Sequence, residues 1–445
     1  MSAKNLAHIP PGRILLLSII TTILLGTICL LLPISRVTSV PLIDLFFTAT
    51  SATCVTGLFT ISLDQFTFFG QAVILALIQI GGLGLITMTV FLITLFVNIG
   101  MGAQLMAGQI LEIDSWNNVK RLLLFIIILT LGTELIGALL IYNAIDHASI
   151  DHAWFYALFH AVSSFCNAGI TTTIKMIDYQ RNWLMLAATI MLMFCGGFGF
   201  VTWREILRRI QAYIGKKRYK FSLHSKLIIY VSIMLIIIFS IIFWILEHDN
   251  TLLDLNVPLS ILNSVFHAVS FKSTGFVTMV PIQLQLATLL MIMISGFIGS
   301  SPGSTGSGIK ITTFSVFLAT IKAAITGKTS TEIQGRQIPL EQVYKAIAII
   351  AFGFTCIIFT TFCLLITEKN TPFLTILFES VTAFTNLGIS LGLTSHLSPI
   401  GKAFIIMNMI VGRIGSLTLI LGLKFRKRTE STTRIKYPEE RVMLG

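Results

Sequence analysis

The sequence predicts an all-α integral membrane protein in which four span–hairpin–span units surround a pseudo-fourfold central axis, with eight transmembrane helices and four re-entrant hairpins. Three observations predict it. First, the 445-residue chain is 55% hydrophobic and 11% charged, with a mean hydropathy of +0.88. Water-soluble domains carry about a quarter charged residues, so a chain this apolar has lipid as its main solvent. Second, one glycine-centred segment recurs four times. Third, basic and acidic loops alternate along the chain.

The recurring segment reads Phe47-Thr-Ala-Thr-Ser-Ala-Thr-Cys-Val-Thr-Gly57, Phe159-His-Ala-Val-Ser-Ser-Phe-Cys-Asn-Ala-Gly169, Phe266-His-Ala-Val-Ser-Phe-Lys-Ser-Thr-Gly275 and Phe378-Glu-Ser-Val-Thr-Ala-Phe-Thr-Asn-Leu-Gly388. The glycines are separated by 112, 106 and 113 positions (57 to 169, 169 to 275, 275 to 388), and the third copy is one residue shorter before its glycine. So regular a period implies fourfold duplication of one unit. A second marker runs in phase with the first: Gly81-Gly-Leu-Gly84, Gly196-Gly-Phe-Gly199, Gly296-Phe-Ile-Gly299 and Gly412-Arg-Ile-Gly415. Small residues at this spacing suit close helix packing in membranes, yet packing alone does not explain one marker per unit.

Each unit then has one layout. A first apolar span (about Ile14–Leu32, Leu122–Tyr142, Leu227–Leu246 and Tyr344–Ile366) leads through an outer loop to a half-length segment ending at the marker glycine. That segment is too short to cross a hydrocarbon core of about 30 Å. A second span (about Phe68–Val97, Trp183–Leu207, Leu284–Ile325 and Ala403–Leu423) returns. No small-residue cleavage site follows Ile14–Leu32, so it is read as a retained span rather than a signal peptide. The units divide the chain at 1–100, 101–215, 216–335 and 336–428, with a tail at 429–445.

The formal net charge of +12 reports topology rather than a nucleic-acid partner. Basic residues cluster at Arg204, Arg208, Arg209, Lys216, Lys217, Arg218, Lys220 and Lys226, at Lys322, Lys328 and Arg336, and at Lys424, Arg426, Lys427 and Arg428. The loops between hold Asp146, His147, Asp151 and His152, then Glu247, His248, Asp249 and Asp254. Lys and Arg near span ends mark the cytoplasmic side, which places both termini in the cytoplasm. The six cysteines (Cys29, Cys54, Cys166, Cys195, Cys356 and Cys363) show neither metal-ligand spacing nor a disulfide pattern and read as small buried side chains.

Non-helical backbone at membrane depth must be buried in protein or line a water-filled cavity. Four hairpins related by pseudo-fourfold symmetry share one place to converge, the central axis. A ring of backbone carbonyls there replaces the hydration shell of a monovalent cation, and glycine lets the chain turn without a Cβ blocking the lumen. One hairpin is a weak signal; four in register point to an ion path.

The third unit carries a glycine- and serine-rich break inside an apolar helix: Gly296, Gly299, Ser300, Ser301, Pro302, Gly303, Ser304, Thr305, Gly306, Ser307 and Gly308, followed by Ile309 and Lys310. Its spacing does not fit a phosphate loop and no strand precedes it, so it reads as a flexible mid-membrane plug. Arg413 lies within the fourth Gly-x-x-Gly, too deep to snorkel, and is expected to bond carbonyls of that break. Lys272, three residues before Gly275, is expected to point behind the hairpin and tie to an acid such as Glu379, because a cation in the lumen repels cations. His160 and His267 read as packing or hydrogen-bonding residues, and Glu134 as either a functional carboxylate or the partner of a neighbouring polar group.

Together the four marker segments, the Gly296–Gly308 break with Ile309-Lys310, and Val411-Gly-Arg-Ile-Gly415 resemble the Ktr/Trk/HKT superfamily of potassium transporters, most nearly its Ktr-type membrane subunits. The resemblance covers essentially the whole chain. It implies four M1–pore–M2 units with a selectivity filter at Thr53, Cys54, Val55, Thr56 and Gly57; Cys166, Asn167, Ala168 and Gly169; Lys272, Ser273, Thr274 and Gly275; and Asn386, Leu387 and Gly388. Glycine at all four positions goes with potassium selectivity in that superfamily, the break in the third unit is its intramembrane gating loop, and the arginine at the Arg413 position contacts it. Pro302 departs from the expected loop. The resemblance further implies a homodimer on a cytoplasmic ring of nucleotide-binding RCK subunits, with sodium stimulation in several members. This chain has no dinucleotide fingerprint, so nucleotide is expected only on the partner.

Two other classes compete. In a sodium- or proton-coupled potassium symporter, ions move in a fixed ratio; Glu134 is nearly alone as an intramembrane carboxylate, which weakens that reading. A membrane-embedded enzyme needs acids, histidines or metal ligands gathered at one membrane face, and the scattered outer-loop His and Asp form no such cluster. The chain is therefore expected not to be an enzyme and to hold no covalent cofactor.

Overall fold

The computed structural model describes residues 11–84, 116–146, 150–172 and 174–415. Within them a long helix followed by two shorter ones recurs four times. The first set is α1 (Pro11–Leu31), α2 (Leu42–Cys54) and α3 (Phe68–Gly82), and the second is α4 (Trp116–Ala144), α5 (Ala153–Phe165) and α6 (Trp183–Gly197), extended by α7 (Phe200–Ile214). The third is α8 (Leu223–Glu247), α9 (Val257–Ser270) and α10 (Leu286–Phe297), extended by α11 (Ile311–Ile325). The fourth is α12 (Leu340–Thr367), α13 (Phe373–Thr385) and α14 (Pro399–Ile414). Between α11 and α12 a hairpin pairs β1 (Glu332–Ile333) with β2 (Arg336–Gln337). Its turn residues Gln334 and Gly335 both have positive φ, as a two-residue primed turn requires.

The helices start where side chains cap them. Thr67, Asn182, Ser222, Asn256 and Ser398 accept the backbone N–H three positions on, at 3.0–3.3 Å, ahead of α3, α6, α8, α9 and α14. Among the described residues three helical stretches are long and apolar enough to cross a membrane alone: Arg121–Ala144, Leu223–Glu247 and Leu340–Thr367. Only a third of each is covered by protein. Leu131 and Leu135, Ile237 and Ile241, and Ile358 and Phe362 face outward, as helices solvated by lipid do.

The four first spans fall within a few residues of α1, α4, α8 and α12. The second spans need correction. Trp183–Leu207 is not one helix: α6 and α7 meet at 101°. Gly199, at φ 92, takes the chain into a conformation closed to other residues. The carbonyls at the end of α6 find partners elsewhere, because Gly196 and Gly197 accept the N–H groups of Thr305 and Ser301 at 3.1 and 3.2 Å. Phe68–Val97 is helical as far as Gly82 and Ala403–Leu423 as far as Ile414. Residues 85–97 and 416–423 lie outside the described residues, as do His147, Lys424–Arg428, the division near residue 100 and the tail 429–445.

Neighbouring sets join in one pattern. α3 packs on α5, α6 on α9, α10 on α13 and α14 on α2. The third helix of each set thus lies against the short helix of the next, and the last set closes on the first. The phenylalanine opening each marker segment (Phe47, Phe159, Phe266 and Phe378) is buried to 1% exposure or less, which anchors the four short helices in the core and accounts for its recurrence.

Candidate functional site: a ring of glycines between two cavities

Each short helix ends a few residues before its marker glycine. In three of the four, the residue two positions before the glycine leaves the helix left-handed: Val55 (φ 57), Asn167 (φ 58) and Asn386 (φ 51). The third set lacks that residue because its segment is one shorter, so Thr274 and Gly275 both bond the Ser270 carbonyl, at 2.8 and 3.1 Å. The hydroxyls of the short helices clamp the outgoing strands. Ser51 Oγ accepts the Gly57 N–H at 3.1 Å, Ser163 Oγ bridges the N–H and carbonyl of Ile170, and Ser270 Oγ donates to the Phe276 carbonyl at 2.7 Å. The Ser/Thr-rich composition of the markers is therefore partly structural.

The glycines form a closed ring. All four have positive φ: Gly57 (94), Gly169 (66), Gly275 (82) and Gly388 (78). A Cβ on Gly57 would stand 2.6 Å from the Ala168 carbonyl oxygen. On Gly169 it would collide with the Thr274 carbonyl, on Gly275 with that of Leu387, and on Gly388 with that of Thr56. Each glycine thus faces the carbonyl of the residue preceding the next glycine, in the order 57, 169, 275, 388 and back to 57. The second markers pack underneath in an equally regular way. Cβ atoms on Gly81, Gly196 and Gly412 would meet the carbonyls of Thr53, Phe165 and Phe384, each four positions before its ring glycine. Gly296 faces Phe271 more loosely, at 3.7 Å.

A cavity of about 340 Å³ opens on one side of the ring, lined by Gly169, Gly275 and Gly388 together with Lys175, Met176, Phe276, Pro281 and Ser390. On another side, Ser307, Gly308, Lys310, Phe384, Gly412 and Arg413 line a cavity of about 220 Å³. The broken helix lies against the ring. Ser307 N–H donates to Ser273 Oγ at 2.8 Å, and Asn167 Nδ2 donates to Thr305 Oγ1 at 2.8 Å. Gly303 accepts the Phe200 N–H at 2.8 Å, and the segment closes on itself where Ser300 N–H meets the Ser307 carbonyl at 3.1 Å. Ser304 Oγ donates to Ser301 within the same turn, and the Pro302 carbonyl would stand 2.9 Å from a Cβ on Gly199. A Cβ on Gly299 would collide with the Ser307 carbonyl, and one on Gly306 with the side chains of Ser300 and Ser273.

Two cations hold this segment. Arg413 Nη1 donates to the Thr305 carbonyl at 2.7 Å and to Ser307 Oγ at 2.9 Å, while Nη2 donates to the Gly81 carbonyl. Lys310 Nζ donates to the Gly306 carbonyl at 2.7 Å. One arginine of the fourth set therefore joins the break of the third set to the end of α3 in the first.

The expected tie between Lys272 and Glu379 is not made. Glu379 is satisfied by its own outgoing strand, through Ser390 Oγ at 2.9 Å and Thr394 Oγ1. Lys272 instead lines a small cavity with Asn167, Gly197, Phe198 and Ser300. His267 Nδ1 donates to the Asn263 carbonyl at 2.8 Å and its ring stacks on Phe243. His160 lies 3.3 Å from Thr189 Oγ1 and stacks on Phe276. Glu134 accepts from Gln79 Nε2 at 3.3 Å and lies 4.0 Å from Cys166 Sγ. All six cysteines are free, and among the described residues no three His, Cys, Asp or Glu gather in a metal-binding group.

Sequence reasoning missed two features. One is a pair of asparagine–threonine bonds across the ring: Thr274 Oγ1 with Asn167 Oδ1, and Thr56 Oγ1 with the Asn386 amide, each at 2.6 Å. The other is a buried ion pair between Lys402 of α14 and Asp44 of α2 at 2.5 Å. Neither has a local signal, because the partners lie 107, 330 and 358 positions apart.

Residues 17–436 match the family described as TrkH, a cation transport protein. The chain is 34% identical over 442 residues to the Ktr system potassium uptake protein B of Bacillus subtilis (strain 168), covering 98% of this chain and 97% of that one. It is 32% identical over 412 residues to the potassium/sodium uptake protein NtpJ of Enterococcus hirae, covering 91% and 90%. A crystal structure of the potassium transporter TrkH from Vibrio parahaemolyticus has the same fold, with a TM-score of 0.67 at 18% identity over 86% of this chain and 79% of that chain. With a match spanning nearly the whole sequence, the chain belongs to the TrkH family of cation transport proteins.

Proposed function

We propose that this chain is the pore-forming subunit of a Ktr-type potassium uptake system in the plasma membrane, channel-like, with both termini cytoplasmic. The observation that carries the reading is the closed ring, in which each of four positive-φ glycines faces the carbonyl of the residue preceding the next glycine. Backbone drawn so tightly around an axis, at the carbonyl ends of four short helices, suits a bare monovalent cation. In this reading Thr53–Gly57, Cys166–Gly169, Lys272–Gly275 and Asn386–Gly388 are the filter, and the 340 Å³ cavity is the outer mouth. The Gly296–Gly308 segment, held by Arg413 and Lys310, is an intramembrane gate: two cations and a folded segment stand between the ring and the second cavity.

The transported ion is potassium, as in the names of the relatives. The likeness to a potassium/sodium uptake protein supports sodium as a stimulating ion. A homodimer on a cytoplasmic nucleotide-binding RCK ring completes the proposal, with no catalytic role and no cofactor on this subunit. Coupled symport is the second reading, and Glu134, buried to 3% exposure beside Cys166, is what favours it.

Uptake in a potassium-transport-deficient cell tests the proposal, with and without an RCK subunit and with sodium varied. Restored growth at low potassium, with a reversal potential set by potassium alone, is the expected result. A reversal potential that follows the sodium gradient in fixed stoichiometry supports symport and contradicts the channel-like reading.

A further inference from the structure

The filter residues alternate around the ring. Two places before the glycine stand Val55, Asn167, Ser273 and Asn386; one place before it stand Thr56, Ala168, Thr274 and Leu387. The even repeats therefore carry asparagine and the odd repeats threonine. Ring order places each asparagine beside the threonine of the next repeat: Asn167 meets Thr274 and Asn386 meets Thr56, each at 2.6 Å. The other two junctions have no equivalent, because the facing residues Ala168 and Leu387 carry no polar side-chain atom. The pseudo-fourfold backbone is thus fastened with twofold symmetry.

Both asparagines also reach the intramembrane segment or its arginine. Asn167 Nδ2 donates to Thr305 Oγ1 at 2.8 Å, and the Thr305 carbonyl accepts from Arg413 Nη1 at 2.7 Å. The Asn386 amide is oriented by its neighbours. With Nδ2 toward Thr56 Oγ1 (2.6 Å) and the Met409 carbonyl (3.2 Å), its Oδ1 accepts the Arg413 backbone N–H at 3.1 Å. A continuous path results: Thr274, Asn167, Thr305, Arg413, Asn386, Thr56. Asn167 and Asn386 are 3% exposed or less, and the three threonines are fully buried, so water does not compete for these bonds.

We infer that the filter is stapled as two pairs, repeat 2 with repeat 3 and repeat 4 with repeat 1, and that Thr305 and Arg413 lock the two pairs together, so that withdrawal of the intramembrane segment loosens ion selectivity as well as clearing the path. The inference rests on the filter-and-gate reading above. Asn167 is its positioning residue. While the segment is seated, Asn167 is fixed from both ends, by Thr274 and by Thr305. When Thr305 leaves, Asn167 Nδ2 keeps only its longer bond to the Phe165 carbonyl, at 3.2 Å, and the junction of repeats 2 and 3 loses part of its geometric definition. Two conducting states of unequal selectivity follow.

The test uses the full-length protein in liposomes and measures the potassium-to-sodium permeability ratio from reversal potentials. Thr305→Val removes the hydroxyl that Asn167 reaches and that itself donates to the Phe165 carbonyl at 2.9 Å, but keeps the carbonyl that Arg413 reaches. It is expected to lower the ratio about fivefold, the scale of one buried neutral hydrogen bond. Thr274→Val lowers it similarly, and the Thr274→Val/Thr305→Val double variant falls no further, since both break one chain of bonds. Thr56→Val also lowers the ratio, and because Arg413 ties its pair to Thr305 its effect adds less than in full to that of Thr305→Val. Thr305→Ser and Thr274→Ser keep the hydroxyl and retain the parent ratio. Thr305→Val that changes flux but leaves the ratio unchanged overturns the inference, as do additive Thr274 and Thr305 effects, or serine variants that fall as far as the valines. Gly57→Ser, measured alongside, separates the two levels. If it lowers the ratio while Thr305→Val does not, only the stapling fails; if it too is without effect, the filter reading fails.

Discussion

Arg413 Nη1 donates to the carbonyl oxygen of Thr305 at 2.7 Å, across 108 positions of sequence. The same guanidinium bonds Ser307 and the Gly81 carbonyl, so a side chain of the fourth unit restrains the broken helix of the third at the end of a helix of the first. Arg413 is half-buried, and among the described residues its partners are carbonyls and a hydroxyl rather than a carboxylate, which leaves its positive charge uncompensated beside the proposed ion path. Both features oppose cation passage. Arg413→Gln is expected to raise rubidium tracer flux into liposomes roughly fivefold or more, since it removes a charge and loosens bonds each worth about 1–3 kcal/mol. Flux at the parent level removes the arginine from the gate.

Gly199 restrains the same segment from the second unit. Its φ of 92 and the 2.9 Å that would separate a Cβ from the Pro302 carbonyl leave no room for a side chain. Gly199→Ala forces backbone strain of about 1–3 kcal/mol and pushes on Pro302. Higher basal flux with a lower thermal unfolding midpoint in detergent is expected. A variant that matches the parent in both measurements contradicts the contact's role.

The Asp44–Lys402 pair fastens the first unit to the fourth at the closing joint of the ring. Both side chains are largely buried, at 7% and 13% exposure. Lys402→Met strands a buried carboxylate and is expected to destabilise the protein by about 3–5 kcal/mol. Asp44→Asn/Lys402→Met, which removes both charges, is expected to recover most of the lost melting temperature. A double variant as unstable as the single one shows that packing, not charge, holds the joint.

The elements that sequence alone located are those whose signal is local. Apolar runs ending near Leu31, Ala144, Glu247 and Thr367 marked the four long helices, and glycine spacing marked the ends of the four short ones. The bend at Gly199 was visible only as a Gly-x-x-Gly motif common in packed membrane helices. What turns it into a break is the arrival of Thr305 and Ser301 at the Gly196 and Gly197 carbonyls, a contact made by another unit. The tie between Lys272 and Glu379 failed for a related reason: Ser390 and Thr394, on the segment that follows Glu379's own helix, reach the carboxylate first. Alternation of asparagine and threonine before the ring glycines was present in the residues. Its meaning depended on the order in which the units close, and no periodicity encodes that order.

The central claim is that the glycine ring selects the ion, and Gly57→Ser tests it most directly. At Gly57 the positive φ and the Ala168 carbonyl, 2.6 Å from any Cβ, make the ring backbone move to admit a side chain. Reversal potentials in liposomes with potassium on one side and sodium on the other are the measurement. The account predicts a potassium-to-sodium permeability ratio lowered about tenfold, or ~1.4 kcal/mol of lost discrimination. A folded, conducting Gly57→Ser protein with the parent's ratio contradicts it.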